Sequence, residues 1–367
     1  MSIQNIIGGI LVIISILVIW AFQQFFSHPA AKSGPLAASS QVEMIHGYVG
    51  GEKMGLVENQ KIKDILRTKY NIELQPEKRG SLQMVTTEPL DGIDFIWPGS
   101  QVELEIYKKT GKPFRSAEIL FNSPIVVYSW DIVEAALSKA GIVQKEQDTS
   151  YIVDMPKLAE AITQKTSWKQ IGLPELFGSV KVACTDPSKS NSGNQFLCLL
   201  GTVIANQETL SMEDVPKVAP TLKTFLRNLG FMENSSGDLF DKYIKQGVGA
   251  YPMAAGYENQ IIEFSVDNKE YLKAIQSKLR ILYPKPTVWS SHPMIALDDK
   301  GKKLIDAMKD PDIQRIAWME HGFRTGSSTI STDPTKLGFS GIPLTITAIV
   351  SMPTPEVVEN LISQTKP

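Results

Sequence analysis

Residues 42–53, VEMIHGYVGGEK, place an apolar strand pattern directly before a glycine turn, and this unit decides the fold. A helix pattern follows at 57–70, a strand at 72–74, a turn that opens a short helix at 79–85, and a strand at 93–97. Strands and helices in this alternation are typical of α/β layer folds with a mainly parallel sheet. The sequence therefore predicts an α/β fold.

Apolar patterns farther along the chain predict further strands and helices. Strands are expected at 117–129, where Asn122-Ser123-Pro124 interrupts the run, and at 179–185, 249–254, 261–264 and 279–283. Helices are expected at 130–140, 156–162, 218–229 and 238–246, with another after the loop 186–193. A tail from residue 327 onward carries a strand-like segment at 344–352 and a helical segment at 355–363.

The composition is that of an ordinary globular protein. Of the 367 residues, 43% are hydrophobic and 21% are charged, and the length suggests about two domains. The 37 basic and 39 acidic side chains give a formal net charge of −2, which leaves no excess positive charge for a nucleic-acid backbone. Two cysteines and four histidines are too few for a cysteine-rich zinc module. We therefore expect no nucleic-acid partner and no cofactor.

The N-terminal segment predicts a membrane-spanning helix at 5–26. Residues 6–22 are almost wholly apolar, and no charged side chain precedes Lys32. About 20 residues in a helix cross a hydrocarbon core of about 30 Å. A buried soluble helix is one alternative. A cleaved signal peptide is another, because small residues at 29–31 could suit a peptidase, but the apolar run is longer than a typical signal core. We expect an uncleaved anchor, followed by a flexible linker at 27–41.

Three turns rich in glycine and serine follow predicted strands and precede predicted helices. They are Gly50-Gly51-Glu52-Lys53, Arg79-Gly80-Ser81 and Ser190-Asn191-Ser192-Gly193. The first N–H groups of a helix lack partners and carry partial positive charge, so each turn could hold an oxyanion. Helix capping alone also explains serine, asparagine and glycine at such positions.

Motifs of the common enzymes are missing from the sequence. There is no His-Glu-x-x-His zinc pair, no Gly-x-Ser-x-Gly elbow and no phosphate loop ending in Gly-Lys-Ser/Thr. No nucleophile and base can be named as a pair. We therefore expect a protein that is not an enzyme.

Cys184 and Cys198 are the two cysteines of the chain. The loop between them could bring them together, and an oxidising compartment would then allow a disulfide. Two free buried cysteines are equally consistent with the sequence, because free cysteine behaves as a small apolar residue.

Several segments carry a resemblance to a known family. They are 47–53, 78–81, 121–126, 184–193, 251–253 with 256–258, and 283–284 with 292–293. In these segments the chain resembles the bacterial extracytoplasmic solute-binding proteins of the two-lobed, type II-like periplasmic-binding-protein kind, which capture substrates for ABC importers. The resemblance extends from about residue 42 to residue 325.

The resemblance implies two α/β lobes that enclose a ligand cleft and are joined by crossing segments near 124–129 and 282–288. The expected domains are the anchor at 5–26, the linker at 27–41, lobe 1 at 42–126 plus 284–325, lobe 2 at 127–283, and a C-terminal extension at 326–367.

The turns and the resemblance together yield a set of expected ligand-binding residues. They are Gly51, Glu52, Lys53, Arg79, Gly80, Ser81, Asn122, Ser123, Thr185, Asp186, Ser190, Asn191, Ser192, Gly193, Tyr257 and Glu258. Lys53 and Arg79 could pair with an anion, whereas Glu52, Asp186 and Glu258 could receive a cationic group. The balance favours a small anion or zwitterion.

Two functions fit these observations. The first is a membrane-anchored solute-binding protein, with its body on the extracytoplasmic side, that presents a small ligand to a membrane permease or another membrane-protein partner. The second is a structural or sensory subunit of an envelope complex whose cleft is degenerate. The second is retained because the expected anchor and the C-terminal extension both depart from an ordinary importer protein.

Overall fold

The computed structural model describes residues 41–146, 150–326 and 332–366. The chain divides into two compact units, Met1–Val42 and Glu43–Pro367, and the second contains all the strands and helices that the structure describes. The expected membrane anchor at 5–26 lies outside the described residues. Among the residues that are described, no helix is both long enough and apolar enough to cross a membrane.

Strands and helices alternate along the unit. The strands are β1 (Glu43–Val49), β2 (Ile72–Lys78), β3 (Phe95–Trp97), β4 (Ser116–Trp130), β5 (Val143–Lys145), β6 (Tyr151–Asp154), β7 (Met253–Tyr257), β8 (Leu279–Lys285), β9 (Trp289–Ala296) and β10 (Arg324–Thr325). The helices are α1 (Met54–Glu58), α2 (Gln60–Tyr70), α3 (Ser81–Thr86), α4 (Gln101–Lys109), α5 (Asp131–Lys139), α6 (Met155–Thr163), α7 (Asn191–Ile204), α8 (Val215–Leu229), α9 (Ser236–Ala250), α10 (Glu258–Asp267), α11 (Lys269–Ile275), α12 (Asp299–Met308), α13 (Pro311–His321) and α14 (Pro355–Thr365).

Local capping explains why the first predicted helix is divided. The side chain of Asn59 accepts a hydrogen bond from the backbone N–H of Lys61 at 3.0 Å, which starts α2 anew after α1. Asn71 ends α2 in the left-handed conformation, with φ of 54°. The chain then turns directly into β2, which pairs with β1 in parallel.

The strands form a mixed sheet with two parts. In the first part the order is β2-β1-β3-β9-β4, and β10 also pairs with β4; we call this part and the helices around it lobe 1. In the second part β4 pairs with β7 and β8, and the order continues from β8 to β6 and β5; we call this lobe 2.

Only β1–β2, β1–β3 and β6–β8 are parallel pairs among the described strands. The expectation of a mainly parallel sheet is therefore wrong.

Two segments connect the lobes. Residues 116–124 of β4 pair with β9 in lobe 1, whereas 125–130 pair with β7 or β8 in lobe 2. The second connection is the short segment 286–288 between β8 and β9, which begins with a cis peptide bond at Pro286. Both connections lie in the ranges near 124–129 and 282–288 that the resemblance implies.

The hydrophobic core follows the two faces of the lobe 1 sheet. Phe95 and Trp97 point into a cluster that includes Leu304, on the outer face. Ile96 points to the opposite face, into a larger cluster that continues through lobe 2. This alternation is the period-2 pattern of a sheet that is buried on both sides.

Three strand predictions in lobe 2 need correction. Residues 261–264 lie in helix α10, whose first turn is fixed by a hydrogen bond from Tyr257 N to Gln260 Oε1 of 2.9 Å. A short apolar run fits a helix as well as a strand. Residues 179–185 form only isolated bridges, one at Ser179 and one at Ala183. The strand predicted at 249–254 lies instead at Met253–Tyr257, because α9 continues to Ala250.

The predicted break at Asn122-Ser123-Pro124 does not interrupt β4. Pro124 occupies the last pair with β9, opposite Trp289, at the point where β4 changes partners. Proline lacks an N–H donor and is tolerated in a strand where no ladder hydrogen bond is needed.

The C-terminal segment 332–366 packs against both lobes. In place of the strand predicted at 344–352, it forms a single bridge in which Thr287 N donates to Ala348 O and Val350 N donates to Thr287 O, each at 2.9 Å. The predicted helix is present as α14, which packs on α7 and α8 of lobe 2 and on α4 of lobe 1. An ion pair between Lys109 and Glu356 joins α4 to α14.

Candidate functional site

A cavity of about 410 Å³ lies between the two lobes. Both lobes contribute to its walls, and all three predicted turns meet there. The expected ligand-binding residues that line it are Gly51, Glu52, Arg79, Gly80, Ser81, Ser190 and Asn191.

Three helices begin at this cavity. They are α3 at Ser81, α7 at Asn191 and α9 at Ser236. Neither Gly80 nor Ser190 makes a side-chain cap to its helix, so the first N–H groups of α3 and α7 are not used by a cap. Helix starts that converge in this way provide partial positive charge and N–H donors to an anionic group.

Cationic side chains surround the entrance. Lys78 lies 3.6 Å from Asp238 across the cavity, and Lys189 lies 3.7 Å from Asp186. Arg79 contacts Glu77 at 2.8 Å and Glu88 at 3.2 Å. These ion pairs are at least partly exposed, so water screens them and a ligand can compete for the cations.

A buried ion pair lies behind the cavity wall. The ammonium group of Lys53 contacts the carboxylate of Glu52 and lies 3.3 Å from His292 Nδ1 and 3.3 Å from the carbonyl oxygen of Pro98. Lys53 is fully buried, whereas the side chain of Glu52 keeps 6% of its surface exposed. The structure therefore places Lys53 behind Glu52, outside the cavity lining.

The titration of this cluster follows from burial and from charge. Burial alone would raise the pKa of Glu52, but the ammonium of Lys53 and the ring of His292 hold it well below its usual range. Burial lowers the pKa of Lys53, and the carboxylate of Glu52 partly offsets this decrease. Burial and the Lys53 charge lower the pKa of His292 to about 4. At neutral pH the cluster is therefore a Glu52–Lys53 ion pair beside a neutral imidazole.

A fourth loop, Pro98-Gly99-Ser100, reaches the same region and was missed by the sequence analysis. The N–H of Gly99 donates to Ser81 Oγ at 2.9 Å, and Ser100 N donates to Glu103 Oε2 at 3.0 Å. Burial raises the pKa of Glu103 to about 7. The signal was present, because this loop also follows a strand, contains glycine and serine, and opens a helix.

Asn191 ties α7 to the strands below the cavity. Its Nδ2 donates to Tyr257 Oη at 2.9 Å and to Ser290 Oγ at 3.3 Å, and Ser290 in turn donates to the carbonyl oxygen of Gly99. Tyr257 is buried, and burial raises its pKa well above the usual value. Tyr257 therefore lies outside the cavity lining and contacts Asn191 of the cavity wall.

Glu258 lies outside the cavity as well. Its carboxylate accepts hydrogen bonds from Nε and Nη2 of Arg324, at 2.6 and 2.8 Å. It also accepts one from the hydroxyl of Tyr283 at 2.8 Å. Arg324 Nη2 also donates to Pro343 O at 2.7 Å. Burial alone would lower the pKa of Arg324, but the Glu258 charge raises it. Glu258 therefore balances a cation of the protein itself and fastens the C-terminal segment.

The remaining expected residues support the loop before α7 or the crossing strand. Thr185 Oγ1 lies 2.9 Å from Ser192 Oγ, and both side chains are buried. A Cβ on Gly193 would lie 2.1 Å from the carbonyl oxygen of Thr185, so only glycine fits there. Asp186 Oδ1 accepts from the N–H and the hydroxyl of Ser188, which holds the turn. None of these residues lines the cavity.

Asn122 and Ser123 lie on β4. Asn122 pairs with Ser291 of β9 and with Arg324 of β10. The hydroxyl of Ser123 is buried and donates to Asn259 Oδ1 at 3.3 Å. Both residues belong to the connection between the lobes and lie outside the cavity lining.

The two cysteines are free and buried. Cys198 Sγ donates to Asn194 Oδ1 at 3.4 Å within α7. Burial raises the pKa of both thiols to about 12. The structure thus has the free-thiol alternative rather than the disulfide.

The lobes touch each other directly at glycines of lobe 1. A Cβ on Gly80 would lie 2.7 Å from the carbonyl oxygen of Lys189, and one on Gly99 would lie 2.5 Å from Asn191 Nδ2. Real Cβ contacts are essentially never this short. The approach of the lobes therefore depends on the absence of side chains at these two positions.

Sequence reasoning missed a second group of cavity residues. They are Lys78, Gln83, Lys189, Asn234, Ser235, Ser236 and Asp238. Ser235 and Ser236 follow a helix and an irregular loop, so the search for turns after strands did not reach them. Ser235 Oγ accepts from Asp238 N at 3.2 Å, an N-cap pattern that was readable from the sequence. The described residues contain no group of three or more His, Cys, Asp or Glu side chains placed to hold a metal ion.

Comparisons with known proteins place the fold. No protein-family model matches the sequence, and no curated protein matches it. Among solved structures, iron-bound HitA from Pseudomonas aeruginosa matches with a TM-score of 0.55 at 11% identity, over 88% of this chain and 98% of that chain. The apo ferric ion-binding protein A of Pasteurella haemolytica matches with a TM-score of 0.53 at 12% identity, over 88% and 95% of the two chains.

A third similar structure is the sulfate-binding protein SubI from Mycobacterium tuberculosis. Its TM-score is 0.52 at 12% identity, and the match covers 86% of this chain and 95% of that chain. Identities this low establish similarity of fold alone. The chain therefore has the two-lobed α/β fold of the periplasmic solute-binding proteins.

Proposed function

We propose that this protein is a membrane-anchored, extracytoplasmic solute-binding protein that catalyses no reaction. It captures a small polar ligand, anionic or zwitterionic, in the interlobe cavity and presents it to a membrane permease. The observation that carries the proposal is the cavity of about 410 Å³ at which three helices begin and to which both lobes contribute.

The charges around the cavity support an anionic group on the ligand. Lys78, Arg79 and Lys189 line it, and Glu52 and Asp238 are its acidic side chains. Because Glu52 is already paired with Lys53, Asp238 is the acidic lining residue left to oppose the cations. From outside the lining, Asp186 pairs with Lys189, and Glu77 and Glu88 pair with Arg79, in contacts that are partly exposed. A ligand with one cationic group besides its anionic group could place that group near Asp238.

The binding mechanism follows from the two connections between the lobes. A ligand that contacts Arg79 of lobe 1 and Ser190 of lobe 2 together can do so only when the lobes are close. Binding therefore favours the closed arrangement in proportion to its higher affinity for that arrangement. A membrane partner would recognise the closed surface.

A thermal-shift screen of the full chain tests the proposal, with oxyanions, amino acids, sugars and polyamines as probes. A ligand at 100 times its dissociation constant adds about 2.7 kcal/mol to the free energy of unfolding, so one class should raise the melting temperature selectively. Arg79→Ala and Lys189→Ala should each lower the affinity for that ligand by about tenfold, since each removes a charged hydrogen-bond donor. Lys245→Ala is the matched control, because Lys245 is exposed and outside the cavity.

The alternative is a structural or sensory subunit of an envelope complex with a degenerate cavity. The Lys78–Asp238 ion pair favours this alternative, because it joins the two lobes across the cavity without a ligand. A flat screen on folded protein, together with co-purification of a membrane partner, would support this alternative over ligand capture.

A further inference from the structure

A second cavity, of about 650 Å³, lies in lobe 2. Its walls come from the end of α6, the segment 177–181, the second half of α7 and the middle of α8. Leu200 and Ile204 of α7 follow Asn191 by 9 and 13 residues. At about 1.5 Å per residue they lie roughly 14–20 Å along the helix from the interlobe cavity. The two cavities are therefore separate sites joined by one helix.

The walls of this cavity are partly apolar and partly polar. Five of the lining residues are buried core residues, namely Ile162, Val180, Leu200, Leu222 and Phe225. Uncharged polar side chains also line it: Thr163, Ser179, Thr221, Thr224 and Asn228. The volume is in the range typical of sites for small organic molecules.

The charged groups of the lining are cations. Lys165 and Lys181 are the only charged side chains among the lining residues. Neither ammonium has a carboxylate partner within the segments that the structure describes. Lys157 on the same helix as Ile162, by contrast, pairs with Asp154 at 3.5 Å. An anionic group at the entrance would complete the charge balance of these two lysines.

Phe177 projects from the rim into solvent. Its relative exposure is 103%, so the ring makes no contact that shields it from water. Leu173 and Leu176 anchor the preceding turn in the core, and Gly178 with φ of 86° ends it. Hydrogen bonds from Trp168 N to Gly178 O and from Val180 N to Thr166 O close the loop. These bonds hold the backbone of the loop, and the exposed ring of Phe177 gains apolar burial only when another molecule covers it.

We propose that this cavity is a second ligand-binding site, for a small amphipathic organic anion. The hydrocarbon part packs on Leu200 of α7 and on Leu222 and Phe225 of α8. The anionic group lies between Lys165 and Lys181. Phe177 packs over the ligand at the rim. The site is independent of the interlobe cavity and of the ligand that the interlobe cavity takes.

Equilibrium dialysis of the full chain in lipid nanodiscs tests this site, with 4-phenylbutyrate as the anionic probe and 4-phenylbutan-1-ol as its neutral counterpart. Empty nanodiscs give the background from partitioning into lipid. We expect saturable binding of the acid. The variant Lys165→Gln/Lys181→Gln should lower the affinity for 4-phenylbutyrate by about fivefold or more, as the loss of two exposed ion pairs implies. It should change the affinity for the alcohol by less than about twofold.

Phe177→Ser separates the apolar contribution from the charged one. It should weaken both probes by about threefold or more, because both lose the same apolar contact. The melting temperature should stay unchanged, since the ring packs against nothing in the free protein. Phe231→Ser is the matched control, because Phe231 is 81% exposed and lies outside this cavity.

Three results would overturn the proposal. They are the absence of saturable binding of 4-phenylbutyrate, an equal effect of the double lysine variant on acid and alcohol, and unchanged binding in Phe177→Ser. Because the lysines and Phe177 are exposed, none of these variants removes core packing, and a loss of binding cannot be attributed to unfolding.

Discussion

Gly80 of lobe 1 faces the carbonyl oxygen of Lys189 in lobe 2 so closely that a Cβ at position 80 would lie 2.7 Å from that oxygen. The partner atom belongs to the backbone, so a side-chain rotation cannot relieve the clash. Gly80 lies at an ordinary φ of −66°, so the backbone itself tolerates other residues there. What requires glycine is the distance between the lobes.

Replacing Gly80 by valine should hold the lobes apart. We expect a larger radius of gyration in small-angle scattering than for the unmodified chain, with the free energy of unfolding changed by no more than about 1 kcal/mol, as for many point substitutions outside the core. Gly249→Ala is the control, since a Cβ there meets no atom within 4 Å. An unchanged radius of gyration in Gly80→Val would show that this contact does not limit the approach of the lobes.

Removing Lys53 alone should destabilise the fold. Lys53→Met leaves the carboxylate of Glu52 nearly buried beside a neutral His292, and breaking a buried ion pair in this way costs about 3–5 kcal/mol. Urea denaturation measures the loss. The double variant Lys53→Met/Glu52→Gln removes both charges and should recover most of it. A double variant as unstable as the single one would argue against an uncompensated charge as the cause.

Glu103 and His292 should have opposite effects on the pH dependence of stability. The pKa of Glu103 is raised to about 7 in the folded state, so its protonated form favours the fold at low pH and this contribution is lost as pH rises toward 7. The pKa of His292 is lowered to about 4, so its neutral form favours folding, and stability rises as pH rises from 4 toward the ordinary histidine value of about 6.5.

The variant Glu103→Gln isolates these two contributions. We expect its free energy of unfolding to rise more steeply with pH between about 4.5 and 6.5 than that of the unmodified chain, because only the His292 contribution remains. Denaturation with urea at a series of pH values gives both slopes. Parallel pH profiles for the two proteins would contradict a raised pKa at Glu103.

Both thiols should be free but unreactive in the folded protein. Cys184 and Cys198 are buried, and their pKa values of about 12 leave almost no thiolate at neutral pH. Iodoacetamide should label neither cysteine in native protein and both after denaturation without reductant, as mass spectrometry would show. Labelling of neither cysteine after denaturation would reveal a disulfide.

Local sequence patterns were sufficient to predict the turns that form the cavity. Gly80 and Ser190 were found because strand, glycine or serine, and helix follow one another within a few residues, and backbone geometry is decided over that distance. The segments that connect the lobes were expected near 124–129 and 282–288 from the resemblance to the family, not from local patterns.

Contacts between distant residues were not predictable in this way. Lys53 and His292 are 239 residues apart, and Glu258 and Arg324 are 66 apart. Lys53 and Glu258 were expected to bind the ligand, because the partner of each lies on another element. The prediction of a strand at 261–264 was wrong for a different reason, since a short apolar run does not distinguish the periodicity of a helix from that of a strand.

The path of the chain through the lobes also has a consequence for synthesis. In lobe 1, β1–β3 precede lobe 2 in the sequence and β9 follows it. Ile96 of β3 therefore cannot pair with Ile295 of β9 until the chain of lobe 2 has been made. Strands β5–β8 all precede β9 in the chain. Because lobe 2 has all of its strands once residue 285 is made, whereas lobe 1 still lacks β9, lobe 2 should become compact first. A nascent chain that stops before β9 would present β3 as an unpaired edge, which is a site for aggregation.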